Sequence, residues 1–189
     1  MALKSIEKEE NKVVEDTPVL WPDYKTLYFK LLSKDSLNNN KIMWIPPKSP
    51  HNLIEEDLYH DPWSLLVATI FLNKTKGQVA TMCLYWFLVE NPTPLAVVEQ
   101  YPKPLEKYFI NLGLQKTRAV QVWRMSYDFI HKQWKSPREL YGIGQYGEDA
   151  YKIFCLGDFS FTPKDHFLKI YKAWYEKINL RDTAINSAY

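Results

Sequence analysis

One acidic residue stands where a carboxylate could act on a substrate. Asp165 follows the pair Gly157-Asp158, and the pair Thr162-Pro163 predicts a helix that begins at Pro163 and has Asp165 in its first turn. The helix dipole favours an ionised carboxylate there. Such a group can stabilise positive charge that develops on a sugar when a glycosidic bond breaks, and it can help to activate water. In isolation, an aspartate that only stabilises its helix is a strong alternative.

A second pattern consists of two glycines two residues apart. The stretch Leu140–Gly144 runs leucine, tyrosine, glycine, isoleucine, glycine between a short predicted helix and a longer one. Gly142 and Gly144 allow a tight turn that aims successive backbone N–H groups outward at the start of the next helix. Amides at a helix N-terminus bind phosphate without needing positive side chains. An ordinary glycine C-cap explains this segment alone about as well.

The elements that must position these residues are predicted to be helices. An N-capping residue directly before proline is typical of helix starts, and it occurs at Asp61-Pro62, Thr93-Pro94, Ser136-Pro137 and Thr162-Pro163. Apolar residues at helical spacing predict helices after Pro62 and over about 77–89, 117–132 and 163–179. Alternating apolar and polar runs bounded by hairpin turns are nearly absent. The pattern predicts an all-α fold.

Composition narrows the class of protein. The chain has 189 residues, 46% of them hydrophobic and 15% aromatic, which is enough for one buried core and excludes a disordered chain. Cys83 and Cys155 are too few for a disulfide framework, a four-cysteine zinc site or a four-cysteine iron–sulfur cluster. The charged N-terminus lacks the apolar segment of a signal peptide, and no apolar stretch is long enough to span a membrane. The net charge of +2 is only weakly informative.

The chain divides into a polar N-terminal part and a compact remainder. Residues 1–43 are predicted to be a tail and linker, with a possible short docking helix at 20–32, and the domain is predicted over 44–189. Lys116, Arg118, Arg124, Lys132 and Lys135 make one region basic. A solvated helix face and a surface that tracks phosphates are equally good interpretations of this region.

Together, the glycine hairpin and the downstream aspartate resemble the helix-hairpin-helix DNA glycosylases, in which a Gly/Pro-rich loop and an essential aspartate follow the hairpin. Longer strings narrow the resemblance to the glycosylase domain of the methyl-CpG-binding domain protein 4 family, over about residues 44–178. These strings are Trp44–Pro50, His60–Trp63, Ala68–Asn73, Tyr141–Gly147, Tyr151–Cys155 and Pro163–His166. Their length makes chance a poor explanation. The resemblance implies two helical lobes flanking a DNA-binding cleft.

The resemblance also implies an activity, the removal of thymine or uracil opposite guanine from double-stranded DNA, which initiates base excision repair. By position, Asp165 is the catalytic carboxylate, and Glu55 and Tyr146 hold the base that is flipped out of the helix. Lys74 stands where the family usually has an arginine that fills the emptied stack. Leu114 matches the wedge that faces the orphaned guanine, and plain core packing is the alternative for it.

The residues around the hairpin predict whether the enzyme also cuts the DNA strand. The resemblance implies that Gly142, Ile143, Gly144 and Gln145 bind the DNA backbone. Bifunctional relatives have a lysine just after the hairpin, which attacks the sugar as an amine. Here Gln145 and Tyr146 follow the hairpin, so we expect a monofunctional enzyme that leaves the strand uncut. No cofactor or metal is expected.

Two departures from the family pattern leave the preferred base open. Glu55 falls where close relatives usually have a glutamine, and an ionised glutamate cannot donate a hydrogen bond. Phe167 replaces a lysine typical of those relatives. The alternatives are a glycosylase for another pyrimidine lesion and a DNA-lesion-binding module without activity.

The resemblance also bears on partners and location. Nothing in the first 43 residues resembles a methyl-CpG-binding domain, so the sequence does not indicate how the chain is recruited. We expect a nuclear monomer that acts on DNA carrying a mismatched or damaged pyrimidine and hands its product to downstream repair proteins.

Overall fold

The computed structural model describes residues 23–35, 44–73, 75 and 77–186 of the chain. Within this part the regular elements are helical and no strand occurs, so the predicted all-α fold is confirmed. The α-helices are α1 (Tyr24–Asp35), α2 (Glu55–Leu58), α3 (Pro62–Leu72), α4 (Gly77–Glu90), α5 (Pro94–Val98), α6 (Pro102–Leu105), α7 (Gln115–His131), α8 (Gln145–Tyr151) and α9 (His166–Asn186). Two 3₁₀ helices, Glu106–Leu112 and Pro137–Glu139, and a π-helical turn, Lys152–Leu156, complete them.

Helix α3 is the centre of the core. Asp61 caps its N-terminus by accepting the Trp63 N–H at 3.1 Å, as the Asp-Pro pair predicted. Every residue from Trp63 to Phe71 is buried, which is the pattern of a helix surrounded on all sides. Helices α4, α7 and α8 pack around it. The central helix therefore gives the surrounding elements a common rigid support.

Helix α1 lies on the outer side of α4 and makes mainly aromatic contacts. Tyr28 packs against Tyr85 with ring centroids 5.6 Å apart, and its hydroxyl group lies 3.3 Å from Ser64 Oγ. Tyr24 stacks against Trp86. The division of the chain at residue 43 remains a prediction, and most of the proposed tail lies outside the described residues.

The segment before α2 and the start of α9 form a second packed group. The Trp44 ring meets Tyr175 edge-on, and the Tyr171 hydroxyl donates to the Pro47 carbonyl at 2.9 Å. Gly157 is needed here because its φ is +67° and a Cβ would come within 2.7 Å of the Trp44 ring. No helix among the described residues is long and apolar enough to cross a bilayer.

Candidate active site

A cleft of about 640 Å³ lies where α2, the N-terminal part of α4, α8 and the start of α9 come together. Glu55, Tyr146 and Asp165 all line it, although 110 residues separate the first from the last (165 − 55). Lys25 of α1 also reaches the cleft wall. The fold thus brings the three candidate residues for pocket and catalysis around one space.

Glu55 and Tyr146 are joined directly. The Tyr146 hydroxyl donates a hydrogen bond to Glu55 Oε1. Glu55 is only 3% exposed, and this burial raises the pKa of its carboxyl group above the usual value, with the nearby charges of Asp165 and Glu56 adding to the effect and the Tyr146 hydrogen bond opposing it. Burial also raises the pKa of the Tyr146 hydroxyl, which therefore remains a donor.

Asp165 is the N-cap of α9. Its Oδ1 accepts the backbone N–H groups of Phe167 at 2.8 Å and Leu168 at 3.0 Å. The prediction of a helix starting at Pro163 was therefore wrong by three residues. Pro163 is buried in the preceding loop, and the next residue, Lys164, points its N–H toward Asp149 Oδ2 at 3.4 Å instead of into a helix.

The loop that carries Asp165 is held from two sides. The Lys172 ammonium, one to two turns into α9, donates to the carbonyls of Phe159 and Phe161. Asp149 of α8 is buried and meets the loop at Lys164. The loop is therefore fixed to both α8 and α9, which sets the place of the Asp165 carboxylate. Neither Lys172 nor Asp149 was singled out from the sequence.

The hairpin is a tight turn between Pro137–Glu139 and α8. Gly142 has a φ of +77°, and a Cβ there would overlap the Gln121 side chain, whose Nε2 donates to the Gly142 carbonyl at 2.7 Å. The N–H of Ile143 donates to the Leu140 carbonyl at 3.2 Å, so it points into the turn. The expectation that successive N–H groups all face outward is wrong at this residue.

The other two hairpin candidates differ from Ile143. Gly144 is exposed, and a Cβ there would meet open space. The Gln145 side chain is already engaged, because its Oε1 accepts from Arg138 at 3.0 Å and its Nε2 donates to Asp149 at 2.7 Å. Any DNA contact at Gln145 would therefore come from its backbone, whereas Gly142 and Gly144 are both exposed.

Lys74 and Leu114 are the two candidates for filling the gap left by a flipped base, and the structure describes only Leu114. Lys74 lies outside the described residues, although its neighbours Asn73 and Thr75 both line the cleft. Leu114 is 70% exposed and has a left-handed backbone, with φ of 53°, just before α7. Core packing is therefore excluded as the reason for a leucine at this position.

Arg118 of α7 connects these two segments, and its predicted place on a basic surface was wrong. It is only 6% exposed. Its Nη1 donates to the carbonyls that end α3, those of Ile70 at 3.1 Å and Phe71 at 2.9 Å. Its Nη2 donates to the Asn73 carbonyl at 2.8 Å and Thr75 Oγ1 at 2.9 Å. One guanidinium group thus caps α3 and holds the loop next to the cleft.

A signal for the burial of Arg118 was present in the sequence. Arg118 precedes Val122 by four residues, and Val122 lies on the apolar face of α7. A cation on that face must find acceptors inside the protein. Other members of the basic region are at the surface, where Arg124 lies over the Tyr141 ring at 4.1 Å and Lys132 pairs with Asp128 at 2.8 Å.

Comparison with known proteins finds similarity in sequence to a named protein of a plant. No family model matches the chain. Over 175 residues the chain is 34% identical to a methyl-CpG-binding domain protein 4-like protein of Arabidopsis thaliana, a match that covers 87% of this chain. The chain spans 37% of the length of that Arabidopsis protein.

Among solved structures, a thermostable thymine-DNA glycosylase is similar to this chain. The TM-score is 0.49 at 18% identity, and the similarity covers 71% of this chain and 60% of that one. Because this structural similarity is weak, the relationship of the chain to known proteins rests on the sequence match.

Proposed function

We propose that the chain is a DNA N-glycosylase that flips thymine or uracil out of a mismatch with guanine and hydrolyses its glycosidic bond. The observation that carries the proposal is that Asp165 lines the same cleft as Glu55 and Tyr146. The Asp165 carboxylate therefore lies beside a pocket in which Glu55 and Tyr146 can hold a planar base by hydrogen bonds and ring contact. The family relationship makes DNA the expected substrate.

The cleft supports this chemistry through its charges. Loss of a base from a deoxyribose builds positive charge on the sugar. The Asp165 carboxylate, fixed by two backbone N–H groups, can stabilise that charge and help to orient water for attack. Tyr146 and Glu55 line the same space, where the flipped base would be held.

We infer that the enzyme is monofunctional. A lyase needs an amine that is free to attack the sugar. Gln145 and Tyr146 occupy the positions after the hairpin, and Gln145 is hydrogen-bonded to Asp149. Lys25 also reaches the cleft, but its ammonium is paired with Asp57 at 2.6 Å. Borohydride should therefore trap no covalent complex with DNA.

The decisive experiment is single-turnover excision from labelled duplexes that carry T:G, U:G or paired T:A, followed by alkali. We expect release of thymine or uracil opposite guanine, with strand breakage only after alkali. Asp165→Asn should slow excision by about 10²–10⁴-fold. Because asparagine caps helices as well as aspartate does, its melting temperature should stay near that of the wild type.

A matched control lies in the same loop. Asp158 accepts the Ser160 N–H at 2.9 Å and does not line the cleft, so Asp158→Asn should excise at the wild-type rate. Release of a different damaged pyrimidine would show that the proposed substrate is wrong and that the proposed reaction is right. If the protein binds DNA but releases no base from a broad panel of lesions, it is a lesion-binding module and the proposed enzymatic activity is wrong.

A further inference from the structure

Two of the carboxyl groups that line the cleft, those of Asp165 and Glu55, lie in different surroundings. Asp165 accepts two backbone N–H groups at the N-terminus of α9, a helix of 21 residues whose dipole also favours an anion. Glu55 is buried and accepts one hydroxyl group, that of Tyr146. Among the described residues, no cation forms an ion pair with Glu55.

The groups around Glu55 add to this contrast. Lys25 and Lys48 both form ion pairs with Asp57. Burial raises the pKa of Glu55, and the neighbouring carboxylates raise it further. The titratable groups near it are Glu56 and Asp57 on α2, Tyr85 on α4, Tyr146 on α8 and Asp165 at the start of α9, with His51 of the preceding loop and Lys25 of α1 also on the cleft wall.

We propose that Glu55 acts as a neutral carboxylic acid that recognises the imide edge of a flipped thymine or uracil, an inference that rests on the proposed function. Thymine and uracil each present a ring N–H between two carbonyl groups. A neutral carboxylic acid has one acceptor and one donor side by side, so it can accept from the N–H and donate to an adjacent carbonyl at the same time.

The hydrogen bond from Tyr146 determines which oxygen of Glu55 accepts and which one carries the proton. Its hydroxyl donates to Glu55 Oε1, which makes Oε1 the carbonyl-like acceptor and leaves Oε2 to carry the proton. A carboxylate in the same place would have acceptors only. It would then face a base carbonyl with its own negative oxygen, in a site with little water to screen the repulsion. Loss of the Glu55 proton should therefore weaken binding of the base.

Glu55→Gln provides the test, because glutamine keeps the shape and the donor–acceptor pair and cannot ionise in this range. Single-turnover excision of uracil opposite guanine should be measured for both proteins across a series of pH values. At low pH the two rates should converge. As pH rises through the pKa of Glu55, the ratio of wild-type to Glu55→Gln rate should fall, by about tenfold for each further pH unit once Glu55 is mostly ionised.

The ratio cancels pH effects that both proteins share, such as ionisation of the DNA. A ratio that stays constant with pH, while the wild type still excises uracil, would overturn the role of Glu55 and leave the proposed function standing. Absence of excision by the wild type at every pH would count against the proposed function itself.

A binding measurement gives an answer that does not need catalysis or an active Glu55→Gln protein. Asp165→Asn protein should bind a G-mismatched duplex carrying 2′-fluoro-deoxyuridine, which resists cleavage, more tightly as pH falls. An otherwise identical duplex with N3-methyl uracil lacks the imide N–H and should show no such gain. Equal pH dependence for the two duplexes would overturn the proposal.

Discussion

Glu55 and Glu56 are neighbours on α2, and they serve different regions of the molecule. Glu56 is 1% exposed, and its two oxygens accept from Ser49 N at 2.8 Å, Ser49 Oγ at 2.6 Å and Leu53 N at 3.0 Å. Glu55 is almost as buried and accepts from Tyr146 at the cleft wall. The hydrogen-bonding capacity of Glu56 is used by the loop before α2, whereas Glu55 can still form hydrogen bonds with a ligand.

This contrast separates groups that support the cleft from groups that face it. A supporting group has its hydrogen bonds completed inside the protein, so its loss should appear first in stability. A group that faces the cleft keeps hydrogen-bonding capacity for a ligand, so its loss should appear chiefly in activity. A related contrast, between a residue held inside the protein and one at its surface, applies to Arg118 and Arg124 of α7.

The largest effect on stability is expected for Glu56→Ala. The substitution removes three hydrogen bonds and leaves the buried N–H groups of Ser49 and Leu53 without an acceptor, which should lower the free energy of unfolding by about 3 kcal/mol. Urea denaturation measures this loss. Glu99→Ala, at an exposed position, should change it by less than about 0.5 kcal/mol. If both variants lose a similar free energy of unfolding, Glu56 does not have the supporting role assigned to it.

The next largest effect is expected for Arg118→Met, which keeps the length of the side chain and removes its donors. The carbonyls of Ile70, Phe71 and Asn73 lose their guanidinium partner, at a cost of about 2 kcal/mol in the same denaturation measurement. Arg124→Met on the same helix removes only a surface contact with Tyr141 and should cost about 1 kcal/mol or less. Equal costs would show that Arg118 is not a cap.

A smaller effect is expected at the hairpin. Gly142→Ala should cost about 1–2 kcal/mol, because alanine is strained at a φ of +77° and its Cβ would displace Gln121. Gly144→Ala has an extended backbone and open space around its Cβ, so the melting temperature should hardly change. If Gly144 carries a DNA contact, its variant should instead bind duplex DNA more weakly in a titration at fixed salt.

The smallest effect is a pH dependence of stability that distinguishes Glu55 from its isostere. The folded-state pKa of Glu55 is raised above the unfolded value of 4.5, so the folded protein holds a proton that the unfolded chain releases. This stabilisation is complete below pH 4.5 and is lost as pH rises through the folded-state pKa. Glu55→Gln should lack this loss, which urea denaturation at several pH values can show. Parallel curves would mean that Glu55 is ionised in the folded protein.

The sequence by itself determined most of the helices. The spacing of apolar residues predicted helices over 77–89 and 117–132, and the structure has them at Gly77–Glu90 and Gln115–His131. Capping pairs such as Asp61-Pro62 and Ser136-Pro137 act as predicted through their own side chains. Such features depend on residues a few positions apart, so they can be predicted from local sequence alone.

Only the tertiary structure decided how distant residues meet. The bond between Tyr146 and Glu55 joins residues 91 positions apart, and the contacts of Arg118 with α3 join residues 47 and 48 apart. No local pattern specifies such pairs, because they depend on how α3 places α2, α7 and α8 around itself. The start of α9 likewise shifted to His166, because Pro163 is buried in a loop held by Lys172 and Asp149. Burial and hydrogen bonding between distant segments therefore determined the chemical surroundings of residues that the sequence could only name.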